Sequence, residues 1–109
     1  MSWKIAYIPE ALDDFRALDG SQRLLIRKAI AKVSKNPAPK ENGGYGTPLG
    51  HKSGRNLTGF MKIKLRSAGL RVVYKLMKVD GQMLIIVIGA RADEEVYDIA
   101  AARAKQHGL

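Results

Sequence analysis

Apolar and polar residues alternate between Met61 and Leu65, and this alternation is the clearest pattern in the chain. The polar positions are Lys62 and Lys64. A period of two is the repeat of a β-strand that has one apolar and one polar face. The segment therefore predicts a strand whose polar face is cationic.

A hairpin adds a third cation to this face. Residues 67–69 (Ser-Ala-Gly) have the composition of a turn, and Arg71 follows them. A turn there pairs Lys64 with Arg71, and it pairs Lys62 with Val73 on the same face. A register shifted by one residue would turn Arg71 toward the apolar face, which is costly for a guanidinium. Because like charges crowded on a sheet destabilise it unless an anion lies there, the pattern predicts a site for a polyphosphate.

Other apolar patterns predict strands and helices on both sides of this hairpin. The predicted elements are a strand at 3–8, a helix at 10–18, a helix from the N-cap Ser21 to Asn36, strands at 60–65, 70–78 and 83–90, and a C-terminal helix from the N-cap Asp93 toward Gln106. The run at 83–88 does not alternate, so we expect its strand to be covered on both faces and hence to be central in the sheet. The segment 37–59 is rich in Gly and Pro and predicts a long surface loop.

These elements predict an α+β fold with the order βααβββα, in a single domain over residues 1–109. An N-terminal strand, a helical hairpin, a three-stranded antiparallel meander and a C-terminal helix follow one another, and the helical hairpin packs on one face of the sheet. The dipeptide Asp80-Gly81 predicts a two-residue turn in the second hairpin, which pairs Arg71 with Ala90. Arg91 would then point to the opposite face, unless the strand bulges or ends at Gly89-Ala90.

Composition limits the possible chemistry. The chain of 109 residues contains no Cys and two His, so we expect no metal centre and no cofactor. It also lacks an apolar segment long enough for a signal peptide or a membrane span, which predicts a cytoplasmic protein without membrane contact. The 19 basic against 10 acidic residues give a net charge of +9, which favours nucleic acid, an anionic surface or an acidic protein as the partner.

Five segments spread along nearly the whole chain carry a family resemblance. They are PEALDDFRAL after the first strand, the second helix ending in NP, the tripeptide PLG, the block KIKLRSAGLRVVY, and the stretch IGARADEEVYDIAAAR. Together they resemble the RelE/ParE toxin superfamily, and more narrowly the RelE-type messenger RNA interferases of type II toxin–antitoxin modules. The block KIKLRSAGLRVVY is the most specific, because its order of charges and its turn both match. The chain departs from the family in its longer glycine-rich loop before Phe60.

The resemblance implies a ribosome-dependent endoribonuclease that cuts messenger RNA in the decoding site. It implies as partners an acidic antitoxin encoded beside the toxin, messenger and ribosomal RNA on the ribosome, and operator DNA through the toxin–antitoxin complex. The family's functional positions fall on Lys62, Lys64, Arg71, Arg91 and Tyr97.

The chemistry of RNA cleavage suits these residue types without a metal. Attack of a 2′-hydroxyl on the adjacent phosphate needs proton removal, stabilisation of charge and protonation of the leaving group. Lys62 is the predicted base, because the strand pair offers no His or Glu and flanking cations disfavour the charged form of a lysine. Lys64 and Arg71 would stabilise the phosphorane. Arg91 would contact the phosphate or the leaving oxygen, and Tyr97 would stack on a base or hydrogen-bond the reacting backbone.

Other interpretations stay open at this level. A ParE-like relative would poison DNA gyrase by protein contact without nuclease activity, although such relatives generally lack this cationic cluster. A non-catalytic module that binds nucleic acid needs only basicity. The three sheet cations also suit an ordinary solvated face, and Tyr97 suits packing in the core.

Overall fold

A computed structural model describes residues 3–52, 54–90 and 92–109 and shows an α+β fold, as predicted. The elements are β1 (Lys4–Tyr7), α1 (Pro9–Arg16), α2 (Gly20–Ser34), β2 (Thr47–Lys52), β3 (Arg55–Leu65), β4 (Leu70–Met77), β5 (Gln82–Gly89) and α3 (Asp93–Gln106). Short 3-10 turns lie at Lys40–Asn42 and Arg66–Ala68.

The five strands form one sheet in the order β1-β5-β4-β3-β2. The pair β1–β5 is parallel, and the other three pairs are antiparallel. The apolar strand β5 lies between two other strands, and Met83, Ile85 and Ile86 in it are fully buried. This confirms the position that its lack of alternation predicted.

Strand β2 lies inside the segment that was predicted to be a loop, so that prediction was wrong in part. Pro48 and Gly50 gave the segment its loop-like composition. Because β2 is the edge strand next to β3, it tolerates a proline, which has no N–H to donate. Its register shifts between these two residues.

The helical hairpin is capped differently from the prediction. Asp19, not Ser21, is the N-cap of α2, because its carboxylate accepts a hydrogen bond from the backbone N–H of Gln22 at 2.8 Å. The side chain of Gln22 accepts in return from the backbone N–H of Asp19. This reciprocal pair is a capping box, which satisfies two otherwise unpaired donors at the start of the helix.

The hairpin β3–β4 has the predicted register. Lys64 lies opposite Arg71, and Lys62 lies opposite Val73. The side chains of Lys62 and Arg71 reach α3, so this helix covers the cationic face. On the other face Ile63 lines a cavity together with Val33 of α2. The sheet is therefore flanked by helices on both faces at β3.

The hairpin β4–β5 differs from the prediction. Met77 pairs with Gln82, so the connection has four residues rather than the two of Asp80-Gly81. This connection together with a bulge in β5 places Arg71 opposite Gly89 and not Ala90. The register shifts between Val73 and Tyr74, where the extra residue of β5 forms a bulge. The turn is therefore longer than predicted, and the bulge lies inside β5 rather than at Gly89-Ala90.

One edge of β5 is completed by side chains. Strand β1 pairs with β5 only from Gln82 to Ile85. Beyond this point the carboxylate of Asp14 accepts a hydrogen bond from the backbone N–H of Ile88 at 3.1 Å. Arg103 donates to the carbonyl of Ile86 at 2.9 Å and to Asp14 at 2.6 Å. An ion pair between α1 and α3 therefore satisfies backbone groups that a longer β1 would have bonded.

Candidate active site

The three sheet cations share one face of β3–β4, as their alternation predicted. Lys62 and Lys64 are two residues apart on β3, and Arg71 is directly across from Lys64. The side chains of Lys64 and Arg71 are 27% and 22% exposed, respectively. The 3-10 turn at Arg66–Ala68 and the left-handed Gly69 after it (φ 67°) close the hairpin in this register. The positions of the cations therefore follow from one turn and one strand pair.

Asp93 at the start of α3 bridges two of these cations. Its Oδ2 accepts a hydrogen bond from Nζ of Lys64 at 3.0 Å, and its Oδ1 accepts one from Nε of Arg71. The hydrogen bond from Lys64, supported by Arg71, lowers the pKa of Asp93 below its ordinary value of 3.8. One anion with two oxygens therefore already lies between Lys64 and Arg71.

This contact corrects the predicted role of Asp93 as the N-cap of α3. The N-cap is Ala92, and Asp93 is the first residue of the helix. Its side chain turns outward to the sheet cations instead of back to the helix backbone. An acidic residue in this first turn still interacts favourably with the helix dipole.

Tyr97 lies one turn further along α3 and contacts Lys62. Nζ of Lys62 donates to the hydroxyl of Tyr97 at 3.2 Å and lies 5.8 Å from the centre of its ring. The ring itself is only 4% exposed and belongs to the core. In this arrangement the ring has no free face for a nucleobase, whereas the hydroxyl is placed to orient the amine of Lys62.

Arg91, the fifth predicted site residue, lies outside the described residues. Strand β5 ends at Gly89 and α3 begins at Asp93. The predicted role of Arg91 stays a prediction.

Arg55 binds two acidic residues near the same end of α3, and the sequence did not reveal this contact. It forms ion pairs with Glu94 at 2.9 Å and with Asp98 at 2.5 Å. The hydrogen bonds that Arg55 donates to these carboxylates, first the one to Asp98, raise the pKa of Arg55. The two acids are four residues apart and so lie on the same side of a helix, which was the available signal. Their partner lies 39 positions away from Glu94, and nothing in the local pattern identifies it.

Within the described part of the chain, no group of three His, Asp or Glu side chains is arranged to hold a metal ion. Nor does any helix of that part have the length and apolar character needed to cross a membrane.

Comparison with known proteins shows similarity to one kind of toxin, in both sequence and structure. No protein-family model matches the chain. The mRNA interferase toxin RelE of Escherichia coli K12 is 29% identical over 103 residues, covering 94% of this chain and 98% of that protein. The chain is a homologue of RelE. The same identity and coverage hold for the mRNA interferase RelE of Shigella flexneri.

Solved RelE structures share the fold. A mutant of E. coli RelE in the free state matches with a TM-score of 0.74 and 27% identity, over 94% of this chain and 98% of that one. The toxin in the intact E. coli RelBE toxin–antitoxin complex matches with a TM-score of 0.64 and 25% identity, over 84% of this chain and 99% of that one. The fold predicted from the RelE resemblance is therefore confirmed.

Proposed function

We propose that this RelE homologue is the toxin of a type II toxin–antitoxin system and cleaves messenger RNA on the ribosome. The observation that carries the proposal is the anion site of Lys64 and Arg71, with Lys62 beside it on the same sheet face. The homology to an mRNA interferase supports the choice of RNA as the substrate. Cleavage proceeds by transesterification and uses no metal.

In this proposal the scissile phosphate replaces the carboxylate of Asp93. Two oxygens of Asp93 face Lys64 and Arg71, and two non-bridging phosphate oxygens present a similar pair of acceptors. The phosphorane carries more negative charge than the phosphate, so both cations bind it more tightly than the ground state. Preferential stabilisation of the transition state is the basis of catalysis.

Lys62 in its neutral form accepts the proton of the attacking 2′-hydroxyl. The 2′-oxygen bonds to phosphorus, and the bond from phosphorus to the 5′-oxygen breaks. The products are a 2′,3′-cyclic phosphate and a 5′-hydroxyl, whose oxygen takes up one proton. The hydroxyl of Tyr97, 3.2 Å from Nζ, positions Lys62 for this transfer, and Arg91 is the residue proposed to contact the phosphate or the leaving oxygen.

The partners follow from the same proposal. A net charge of +9 suits both an acidic antitoxin and the RNA of the decoding site, because complementary charge speeds association. The antitoxin holds the toxin inactive, and operator DNA is contacted only through their complex. The site of action is the cytoplasm, where translating ribosomes are present.

Primer extension on cellular messenger RNA tests the proposal. The wild-type chain, Arg71→Ala and the surface control Arg16→Ala are induced at matched protein levels. Discrete cuts within translated regions are expected for the wild type and the control, and none for Arg71→Ala. Growth arrest without such cuts would contradict the proposal and favour a gyrase poison, and RNA binding without cuts or arrest would favour a non-catalytic module.

A further inference from the structure

A basic groove lies along the edge of β3, next to the candidate active site. Strand β2 begins at Thr47, opposite Lys62, whereas β3 continues to Leu65. The space beside this overhang, between α2 and the segment before β2, has a volume of about 520 Å³. Among the described residues that line it, five are cationic and none is acidic. The cations are Lys32, Lys40 and Arg66, together with Lys62 and Lys64, whose amines contact α3 on the opposite face of β3.

An exposed aromatic ring lies in the wall of this groove. Tyr45 is 46% exposed and is one of five exposed large hydrophobic residues in the described part of the chain. Nζ of Lys32 lies 5.3 Å from the centre of the Tyr45 ring, within the range of a cation–π contact. The ring therefore combines an accessible surface with a neighbouring positive charge.

The backbone on both sides of Tyr45 is tightly held. A Cβ atom at Gly44 would lie 2.0 Å from the carbonyl oxygen of Ala38, and one at Gly46 would lie 2.4 Å from the hydroxyl of Tyr74. Both positions thus require glycine, because their neighbours leave no space for a side chain.

Hydrogen bonds fix the same segment to the core. The backbone N–H of Tyr45 donates to the carbonyl of Asn36 at 2.9 Å. The buried hydroxyl of Tyr74 donates to the carbonyl of Pro37 at 2.8 Å. The exposed ring is therefore presented by a rigid loop, and a ligand that stacks on it has little loop entropy to overcome.

We propose that Tyr45 is the stacking platform of a nucleobase subsite for single-stranded RNA. The subsite rests on the proposed function and extends it to a nucleotide that flanks the scissile phosphate. Lys32, Lys40 and Arg66 bind neighbouring phosphates of the same strand. A cationic groove that contains an aromatic platform is the usual construction of a single-strand binding site.

An acidic polypeptide is the competing occupant, because the same cations attract carboxylates. The exposed ring favours RNA, since a nucleobase offers a flat surface for stacking and an acidic side chain does not. The groove runs along the free edge of β3 beyond Lys62, and the amines of Lys62 and Lys64 lie on the opposite face of the same strand. This position also favours RNA, because one strand that passes around the edge can reach both places.

Equilibrium binding of a fluorescent, fully 2′-O-methylated RNA hexamer tests the subsite, because this probe has no free 2′-hydroxyl and is not cleaved. Tyr45→Ala is expected to weaken binding about 5- to 150-fold, the range for one stacked base. Tyr45→Phe keeps the ring and is expected to bind as the wild type does. Val79→Ala, at an exposed residue in the β4–β5 turn, is the apolar control and is expected to change nothing.

Salt dependence and crosslinking add two independent readouts. Lys32→Gln is expected to lower the slope of log affinity against log salt by about 0.7, the value for one phosphate contact on a single strand. Lys78→Gln in the β4–β5 turn is the matched control with an unchanged slope. A hexamer that carries 5-iodouridine is expected to crosslink to the peptide that contains Tyr45.

Two results would contradict the proposed subsite. One is a hexamer affinity of Tyr45→Ala within twofold of that of the wild type, and the other is crosslinking only to peptides that do not contain Tyr45. An unchanged hexamer affinity would contradict the RNA subsite even if Tyr45→Ala weakened the binding of poly-glutamate, which stands for the competing acidic polypeptide. Failure of the nuclease proposal looks different, since the wild type would then bind the hexamer through Tyr45 but leave messenger RNA intact.

Discussion

The two ends of α3 carry similar ion pairs that have different consequences. At the C-terminal end, Arg103 and Asp14 are 18% and 21% exposed and lie 2.6 Å apart. At the N-terminal end, Asp93 is 34% exposed and contacts Lys64 and Arg71. Charge and burial alone therefore do not distinguish the two ends.

Their hydrogen bonds to the backbone distinguish them. Asp14 accepts from the N–H of Ile88, and Arg103 donates to the carbonyl of Ile86, so this pair completes the edge of β5. The contacts of Asp93 with Lys64 and Arg71 join side chains on the cationic face. An ion pair that hydrogen-bonds to backbone groups maintains the fold. A carboxylate that lies between two cations instead occupies a site that another anion can take.

The largest expected effect is that of Arg71→Ala on cleavage. Loss of a planar donor to the phosphorane is expected to lower the single-turnover rate on programmed ribosomes by about 10²- to 10³-fold. The free energy of unfolding is expected to change by less than about 1 kcal/mol, because the lost ion pair is partly exposed. Arg71→Lys keeps the charge but lacks the paired donors, so its cleavage rate is expected to lie between those of the wild type and Arg71→Ala. A normal rate for Arg71→Ala would contradict the account.

Arg103→Ala is expected to give the largest change in stability. It leaves Asp14 without its ionic partner and the carbonyl of Ile86 without its donor, at a cost of about 1–3 kcal/mol in the free energy of unfolding. Urea denaturation measures this loss. The matched change at the other end of the helix, Asp93→Asn, is expected to cost less. Equal losses for both variants would remove the distinction between the two ends.

Asp93→Asn is expected to strengthen binding of the 2′-O-methylated hexamer. The carboxylate competes with phosphate for Lys64 and Arg71, so its removal is expected to raise the affinity about 2- to 5-fold, as for a partly exposed ion pair. Glu95→Gln removes the same charge from the same turn and controls for net charge and the helix dipole. A gain that is equal in both variants, or a loss in Asp93→Asn, would show that Asp93 does not occupy the anion site.

The smallest expected effect is on the pH dependence of stability. The pKa of Asp93 is lowered by Lys64 and Arg71, so its contribution to stability is fully present above its unfolded value of about 3.8. This contribution is lost as the pH falls through the lower folded pKa. The difference in unfolding free energy between the wild type and Asp93→Asn is therefore expected to be constant from pH 5 to 8 and to shrink below about pH 4. If this difference in unfolding free energy grew as the pH fell, the pKa of Asp93 would be raised rather than lowered by folding, which would contradict its contact with Lys64 and Arg71.

The sheet cations were predictable because alternation and a turn are local signals. The pairing of Lys64 with Arg71 depends on only eight consecutive residues, and a slip would have buried a guanidinium. The placement of β5 inside the sheet was predictable for a similar reason, since its apolar run has no polar face.

What the sequence did not reveal depends on tertiary contacts. Asp93 has the pattern of a helix N-cap, and only the approach of α3 to the sheet gives its carboxylate a stronger partner. The strand β2 was missed because Pro48 and Gly50 suit a loop, and only its edge position permits them in a strand. Tyr45 lies in the segment whose composition predicts a surface loop, and only the close contacts of Gly44 with Ala38 and of Gly46 with Tyr74 reveal how tightly this segment is held.

The most direct test of the central claim uses ribosomes programmed with a messenger RNA that has a single 2′-deoxy nucleotide on the 5′ side of the mapped cut. Transesterification requires the 2′-hydroxyl there, so the expected result is no cut at that position with the wild-type protein. The unmodified message is expected to yield a 2′,3′-cyclic phosphate. Cleavage of the deoxy-substituted message at the same bond would contradict the account, because the phosphate held by Lys64 and Arg71 would then be attacked by a different nucleophile.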